Sequence, residues 1–121
     1  MVDHTTAWPT ELRVSADRRT LSVGFTDGRR YAIEAELLRV CSPSAEVQGH
    51  SPSQRVTVGG KAAVTIVRVL PVGNYAVRLT FDDGHDTGIY TWAFLSELGA
   101  DKDARWAAYL EELKEKGLSR G

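Results

Sequence analysis

LSVGFTDGRRYAIEAELL (Leu21–Leu38) and VRLTFDDGHDTGIYTWAFL (Val77–Leu95) follow one pattern, and that pattern decides the fold. Each reads as a strand, a Phe-x-Asp-Gly turn, a second strand, and a short helix that ends in leucine. Alternation of period two marks a half-buried strand, because successive side chains point to opposite faces. Asp-Gly between two such runs is a hairpin signal, since glycine accepts positive φ without steric cost. The two stretches are either a duplicated unit or the same economical solution, a hairpin packed on a helix, reached twice. Two copies are too few to decide.

Upstream of the first unit, TELRVSADRRTLSVGF alternates with Leu12 and Val14 on one face and Leu21, Val23 and Phe25 on another, so SADRR reads as a turn between strands. RYAIEA is the return strand, with Tyr31 and Ile33 on one face, and EAELLRV reads as a short helix. Residues 42–61 change composition, with two Ser-Pro-Ser triplets and three glycines. They read as a long loop with a brief strand at RVTV, and a loop of this length in a compact domain is functional or mobile. AVTIVRVLPVG is apolar in both registers and reads as a central strand, joined through PVGN to NYAVRLTF. In the second unit Thr91 caps a helix over WAFLSEL, with Trp92, Leu95 and Leu98 on one side and Gly99 at its C-terminal end.

The tail DKDARWAAYLEELKEKG is the clearest helix, capped by Asp101 or Asp103. Trp106, Tyr109, Leu110 and Leu113 recur at i, i+3, i+4 and i+7, and this stripe packs on the protein's own sheet. Glu112 and Lys116 have the spacing of a favourable helical pair. The expected architecture is α+β: a mostly antiparallel sheet, short helices after the hairpins, and a C-terminal amphipathic helix. The expected organisation is a flexible lead-in over 1–9, a domain over 10–100, and a helix and tail over 101–121.

The 121 residues suffice for one domain with a sizeable core. A formal net charge of −1 gives no basic field for nucleic acid or an anionic membrane. The start MVDHTTAWPTELRV lacks the charged and apolar regions of a signal peptide, and no apolar run approaches the roughly 20 residues needed to span a bilayer. Cys41 is the single cysteine, so no intrachain disulfide forms, which fits a reducing cytoplasm. A cytoplasmic location with no nucleic-acid or membrane partner is the expectation.

Catalytic chemistry finds few residues to use. Only His4, His50 and His85 offer imidazole, and no G-x-S-x-G surrounds a serine. VGGKAAV lacks the full phosphate-loop spacing and reads as a turn. Cys41, His50 and His85 have no C-x-x-C or H-x-x-x-H companions, so spacing alone supports no metal centre. His85 reads as an exposed turn residue with Asp82, Asp83 and Asp86 as solvated neighbours, Cys41 as a small buried hydrophobe, and Tyr90, Trp92 and Phe94 as core.

TDGRRYAIEAELLR, SPSAEVQGH, PVGNYAVRLTFDDGHDTGIYTW and FLSELG, together within residues 10–99, resemble the gamma-butyrobetaine hydroxylase N-terminal-like domain, and SPSAEVQGH with FDDGHDTGIY resembles a bacterial stand-alone branch of it. The resemblance implies an α+β domain. In the hydroxylases this domain precedes a catalytic iron/2-oxoglutarate domain, which this chain lacks, so no hydroxylase activity and no cofactor are expected. The resemblance further implies a zinc site in the hydroxylases, built from Cys-Pro-Cys-x-x-Cys after the Leu-Arg of the short helix plus one distant histidine. After Leu38-Arg39 this chain reads Ser42-Pro43-Ser44-Ala45-Glu46-Val47, so the proline remains and the cysteines are gone, while His85 falls on the histidine position.

Ser42, Pro43, Ser44, Glu46, His50, Asp83, His85 and Asp86 are therefore the candidate interaction surface, formed by the 42–50 loop and the second hairpin. Because relatives are found attached to iron–sulfur carrier ATPases, the resemblance implies a non-catalytic binding or adaptor domain, with a protein partner linked to iron–sulfur cluster assembly. The alternative is a metal-binding accessory domain of a separate oxidoreductase with a degenerate zinc site. A third reading is a small-molecule binder using the Pro/Ser/Gly loop.

Overall fold

A computed structural model describes residues 8–49 and 51–121. Two three-stranded antiparallel sheets and four helices make up an α+β fold. The first sheet contains β1 (Pro9–Val14), β2 (Thr20–Phe25) and β3 (Arg30–Glu34) in that order. Helix α1 (Ala35–Val40) follows it, then α2 (Ala45–Gln48) and a single 3-10 turn at Pro52–Gln54. The second sheet, β4 (Ile66–Val72), β5 (Ala76–Phe81) and β6 (Ile89–Thr91), leads into α3 (Trp92–Ala100) and α4 (Lys102–Glu115).

The two Phe-x-Asp-Gly turns have the same geometry. In the first, the amide of Phe25 donates to Arg29 O at 2.9 Å, Gly28 to Phe25 O at 3.0 Å, and Arg29 to Asp27 Oδ1 at 3.1 Å. In the second, Phe81 donates to His85 O at 3.0 Å, Gly84 to Phe81 O at 3.0 Å, and His85 to Asp83 Oδ1 at 2.9 Å. Gly28 and Gly84 both have φ of 90°, the conformation that closes a three-residue hairpin loop.

Each unit sends its helix across to the hairpin of the other. From α3, Ser96 accepts a hydrogen bond from Arg29 at 2.7 Å, and Gly99 lies against the Tyr31 ring. From α1, the Leu38 carbonyl accepts the Tyr90 hydroxyl, and Arg39 pairs with Asp83 at 2.7 Å. The close approach of Gly99 to Tyr31 in one half is matched by that of Ser42 to Gly88 in the other. Leu21, Ile33, Leu38, Ile66, Leu79, Leu95 and Leu98, all fully buried, form one core between the sheets. Each such side chain contributes about 1.5–3 kcal/mol relative to exposure.

Several expectations need correction. β4 is an edge strand, not a central one, and β5 is central. The apolar character of both β4 registers misled because a bulge between Ile66 and Arg68 turns Val67 outward, to 44% exposure. RVTV forms no strand, as its polar groups bond outward to α4: Thr57 donates to Glu112, and the Val58 carbonyl accepts the Tyr109 hydroxyl at 2.6 Å. Of the segment read as a lead-in, Pro9 opens β1 and the Trp8 carbonyl accepts from Thr26, while residues 1–7 lie outside the described residues.

Thr91 caps α3 by accepting from the Phe94 amide at 3.1 Å, as expected. Gly99 does not end that helix, which runs to Ala100 with Asp101 at its C-terminal cap. α4 buries Tyr109 and Leu113 and half-buries Trp106, so the stripe packs internally, but Leu110 faces solvent. Asp101 precedes α4 without a side-chain capping bond, and Glu112 is engaged by Arg55 and Thr57 from the loop. Beyond α4 the chain returns, and Arg120 forks onto buried Glu36 at 2.9 and 2.7 Å while lying over the Trp106 ring.

A Cβ at position 99 would sit 2.6 Å from Tyr31 Cδ2 and 2.7 Å from its Cβ. Alanine normally stabilises a helix interior by about 1 kcal/mol over glycine. Here the overlap reverses the sign, and Gly99→Ala is expected to destabilise by about 1–3 kcal/mol. Thermal unfolding checks this, and a raised midpoint would contradict the packing.

Candidate functional site

The segment after α1 and the second hairpin meet in a buried polar cluster. Cys41 ends α1 with non-helical φ of −99°, and Ser44 caps α2 by accepting from the Glu46 amide at 3.2 Å. The chain therefore turns sharply over Ser42–Ser44 and points its hydroxyls at the hairpin. Ser42 Oγ lies 2.9 Å from His85 Nε2, and His85 Nδ1 lies 3.2 Å from Glu46 Oε1. The Ser44 and Thr87 hydroxyls are 2.6 Å apart, and the Ser44 amide donates to Ser42 Oγ at 3.2 Å.

The network assigns the protons. A carboxylate at Glu46 accepts from Nδ1–H, which leaves Nε2 of a neutral ring as acceptor of the Ser42 hydroxyl proton. Burial lowers the His85 pKa below its ordinary 6.5, as does the nearby Arg39 charge, while Glu46 and Asp83 oppose the shift. The Asp83 carboxylate accepts from the His85 amide at 2.9 Å. Its own burial would raise its pKa, but Lys61 at 2.6 Å, the His85 amide and Arg39 outweigh that and bring it to about 2.

His85 is thus not an exposed turn residue: only 6% of it is accessible. The turn glycine directs the chain so that the next side chain swings inward against the Phe81 ring. Of the candidate surface residues, Ser42, Ser44, Glu46 and His85 converge, but Ser42, Ser44 and His85 are buried and present little surface. Glu46 keeps a 60% exposed side chain, Asp86 is exposed, and Asp83 is held in ion pairs with Arg39 and Lys61 rather than merely solvated. Pro43 lines a groove toward α4, as does half-buried Cys41. His50 lies outside the described residues.

Sequence reasoning missed Thr87, Arg39, Lys61 and Gly88. Their roles depend on approaches such as Arg39 to Asp83, 44 positions apart, for which no local spacing gives a signal. Ser42, His85 and Glu46 follow the order of a nucleophile, base and orienting acid. Ser42 has no accessible surface, however, and Gly88 roofs it so closely that a Cβ there would sit 2.5 Å from Oγ. A hydroxyl sealed in this way cannot reach a substrate, so the chain of bonds ties the loop to the hairpin.

The positions that the resemblance aligns with zinc-binding cysteines do not fit the metal. Ser42 Oγ occupies the His85 nitrogen that would face an ion, Ser44 is engaged with Thr87, and Val47 is a buried hydrocarbon. A neutral serine hydroxyl is a poor zinc ligand beside thiolate. Among the described residues no group of three or more His, Cys, Asp or Glu side chains is placed to hold a metal ion.

The family described as "Gamma-butyrobetaine hydroxylase-like, N-terminal" matches residues 12–96. One similar protein, known from an NMR solution structure, is 46% identical over 94% of this chain and 90% of its own, with a TM-score of 0.81. A second, also from NMR, is 43% identical over 99% of this chain and 90% of its own, with a TM-score of 0.83. A crystal structure of a protein of unknown function from Acidithiobacillus ferrooxidans, assigned to the DUF971 family, is 40% identical over 82% of this chain and 99% of its own, with a TM-score of 0.65. No curated protein matches.

Because the folded His85 takes a proton less readily than the unfolded one, stability present above pH 6.5 is lost as pH falls below it. His85→Gln is expected to flatten that dependence in chemical unfolding measured between pH 7.5 and about 5. His85→Ala leaves Ser42 and a cavity unfilled and is expected to cost more than about 2 kcal/mol. A loss under about 0.5 kcal/mol, the scale of surface substitutions, would contradict the buried cluster.

Proposed function

The chain belongs to the gamma-butyrobetaine hydroxylase-like, N-terminal family, and on that premise we propose that it works as a non-catalytic binding module for a protein partner. The sealed Ser42–His85–Glu46 cluster carries this reading. Where the resemblance places a zinc site, these residues spend their donors and acceptors on one another, so the site serves to hold two segments in place. What those segments offer outward includes the exposed carboxylates of Asp82 and Asp86 and the solvent-facing side of Glu46, whose other oxygen holds His85. A rigid acidic rim of this kind suits a basic patch on a partner, with charge setting orientation and association rate.

Iron–sulfur carrier ATPases, the class that the resemblance implies, are the partners this reading names, in a cytoplasmic setting. The test is direct: purified chain is titrated with a purified iron–sulfur carrier ATPase from the same cell. Saturable binding is expected, weakened at least about tenfold in Glu46→Lys/Asp86→Lys. Binding that is absent, or unchanged in the double variant, would overturn this assignment.

The alternative, a metal-binding accessory domain, would need donors at 42, 44 and 47, where the chain carries two engaged hydroxyls and a buried valine. Untagged protein purified without chelator is expected to hold well under one zinc or iron per chain by elemental analysis. Replacing Ser42, Ser44 and Val47 together by cysteine is expected to create zinc binding that His85→Ala abolishes. A metal-free triple variant would show that these positions do not correspond to the relatives' cluster.

A further inference from the structure

A second feature of the 41–58 segment has no part in the cluster. Between this segment and α4 lies an open groove of about 480 Å³, within the range of small-molecule sites. We infer that this groove is a binding site for a small organic monocarboxylate with an aromatic or aliphatic body.

The apolar part of the lining selects the body. Val40 from the end of α1, Phe94 from α3, and Ala108 and Tyr109 from α4 present hydrocarbon and ring surface. The Tyr109 hydroxyl is committed to the Val58 carbonyl, so that residue contributes its ring to the groove and no free hydroxyl. Cys41 adds a thiol that burial keeps protonated, hence neutral.

The charged part selects the head group. Arg55 and Glu112 both line the groove but close on each other, with Thr57 completing the coordination of the carboxylate. Arg105 is differently placed. Its nearest acid, Glu97, stands at 3.7 Å on a side chain 66% exposed, and an exposed pair at that distance is weak. Its guanidinium lies 5.8 Å from the centre of the Phe94 ring, beside the apolar floor. The groove therefore carries one positive charge without a close buried counter-charge. A guanidinium fork matches a carboxylate in two parallel hydrogen bonds. A guanidinium whose one acid partner is a solvent-exposed glutamate suits a monoanion, whereas a polyanion would leave charge unneutralised in a partly apolar site.

This inference does not rest on the protein-binding reading, and the two fail in different experiments. Full-length chain is titrated with 4-phenylbutyrate, with its neutral amide 4-phenylbutanamide, and with acetate, following backbone amides by NMR. For a ligand of this size the Kd is expected near 1 mM or tighter. The shifts are expected to saturate and to centre on Val40, Cys41 and residues 105–109. The amide, which lacks the charge, and acetate, which lacks the body, are each expected to bind at least about tenfold more weakly. Arg105→Gln is expected to weaken the acid by a similar factor and leave the amide unchanged. Cys41, as the single thiol of the chain, supplies an independent readout: its alkylation by iodoacetamide is expected to slow in the presence of 4-phenylbutyrate. Absence of saturation up to about 10 mM, far above the expected Kd, equal binding of acid and amide, or an unaffected Arg105→Gln variant would each overturn the assignment. The comparison of acid with amide uses the unaltered protein, so the test holds even where a variant folds poorly.

Discussion

The exchange of helices between the two hairpin units is the constraint on which the rest of the structure depends. A lone three-stranded sheet of such short strands has one apolar face and little to bury it against. Here α1 leaves the first sheet to pack on the second hairpin, and α3 leaves the second sheet to pack on the first. Both apolar faces then share one core, with Leu38 and Leu95 fully buried in it. The exchange requires the backbones to approach closely at two places, and glycine stands at each, Gly99 against Tyr31 and Gly88 against Ser42.

The polar cluster follows from the same geometry. Once α1 crosses to the second hairpin, the residues that end it must face the turn at Asp83–His85. Polar groups taken out of water there cost free energy unless paired. Ser42, Ser44, Glu46, Thr87 and His85 meet that demand among themselves, and Asp83 meets it with Arg39 and Lys61. The arrangement resembles a catalytic relay in connectivity and a metal centre in position, yet its nucleophile is sealed and its donors are occupied. Connectivity among titratable residues is a weak guide to chemistry when access and free coordination are missing.

The C-terminal segment extends this economy. α4 lays Tyr109 and Leu113 on the shared core, and the chain then turns back so that Arg120 meets Glu36. Glu36 is 5% exposed on α1, and among the described residues Arg120 is the cation that pairs with it, so its loss would strand a buried carboxylate. The same packing of α4 against the 41–58 segment leaves the groove in which Arg105 stands beside Phe94.

Local chemistry alone determined the hairpins, their turns and helices α1, α3 and α4, while the single turn α2 (Ala45–Gln48) lies in what reads locally as loop. Alternation at Leu21, Val23 and Phe25, the Asp-Gly pairs, and the Thr91 cap act over a few residues, and the structure obeys each of them. Hydrophobic spacing likewise placed Tyr109 and Leu113 on the inner face of α4. What those elements do to one another was settled only by tertiary packing. Gly99 reads locally as a helix end, but its role is to admit the Tyr31 ring. His85 reads locally as a solvent-exposed turn residue, but the crossing of α1 buries it against Ser42. β4 reads as central because its composition is apolar, but strand order depends on pairing partners, and a bulge turns Val67 outward. Side-chain period and turn preference are properties of neighbouring residues along the chain. Burial and pairing across some 40 positions are properties of the assembled fold, and no local pattern encodes them.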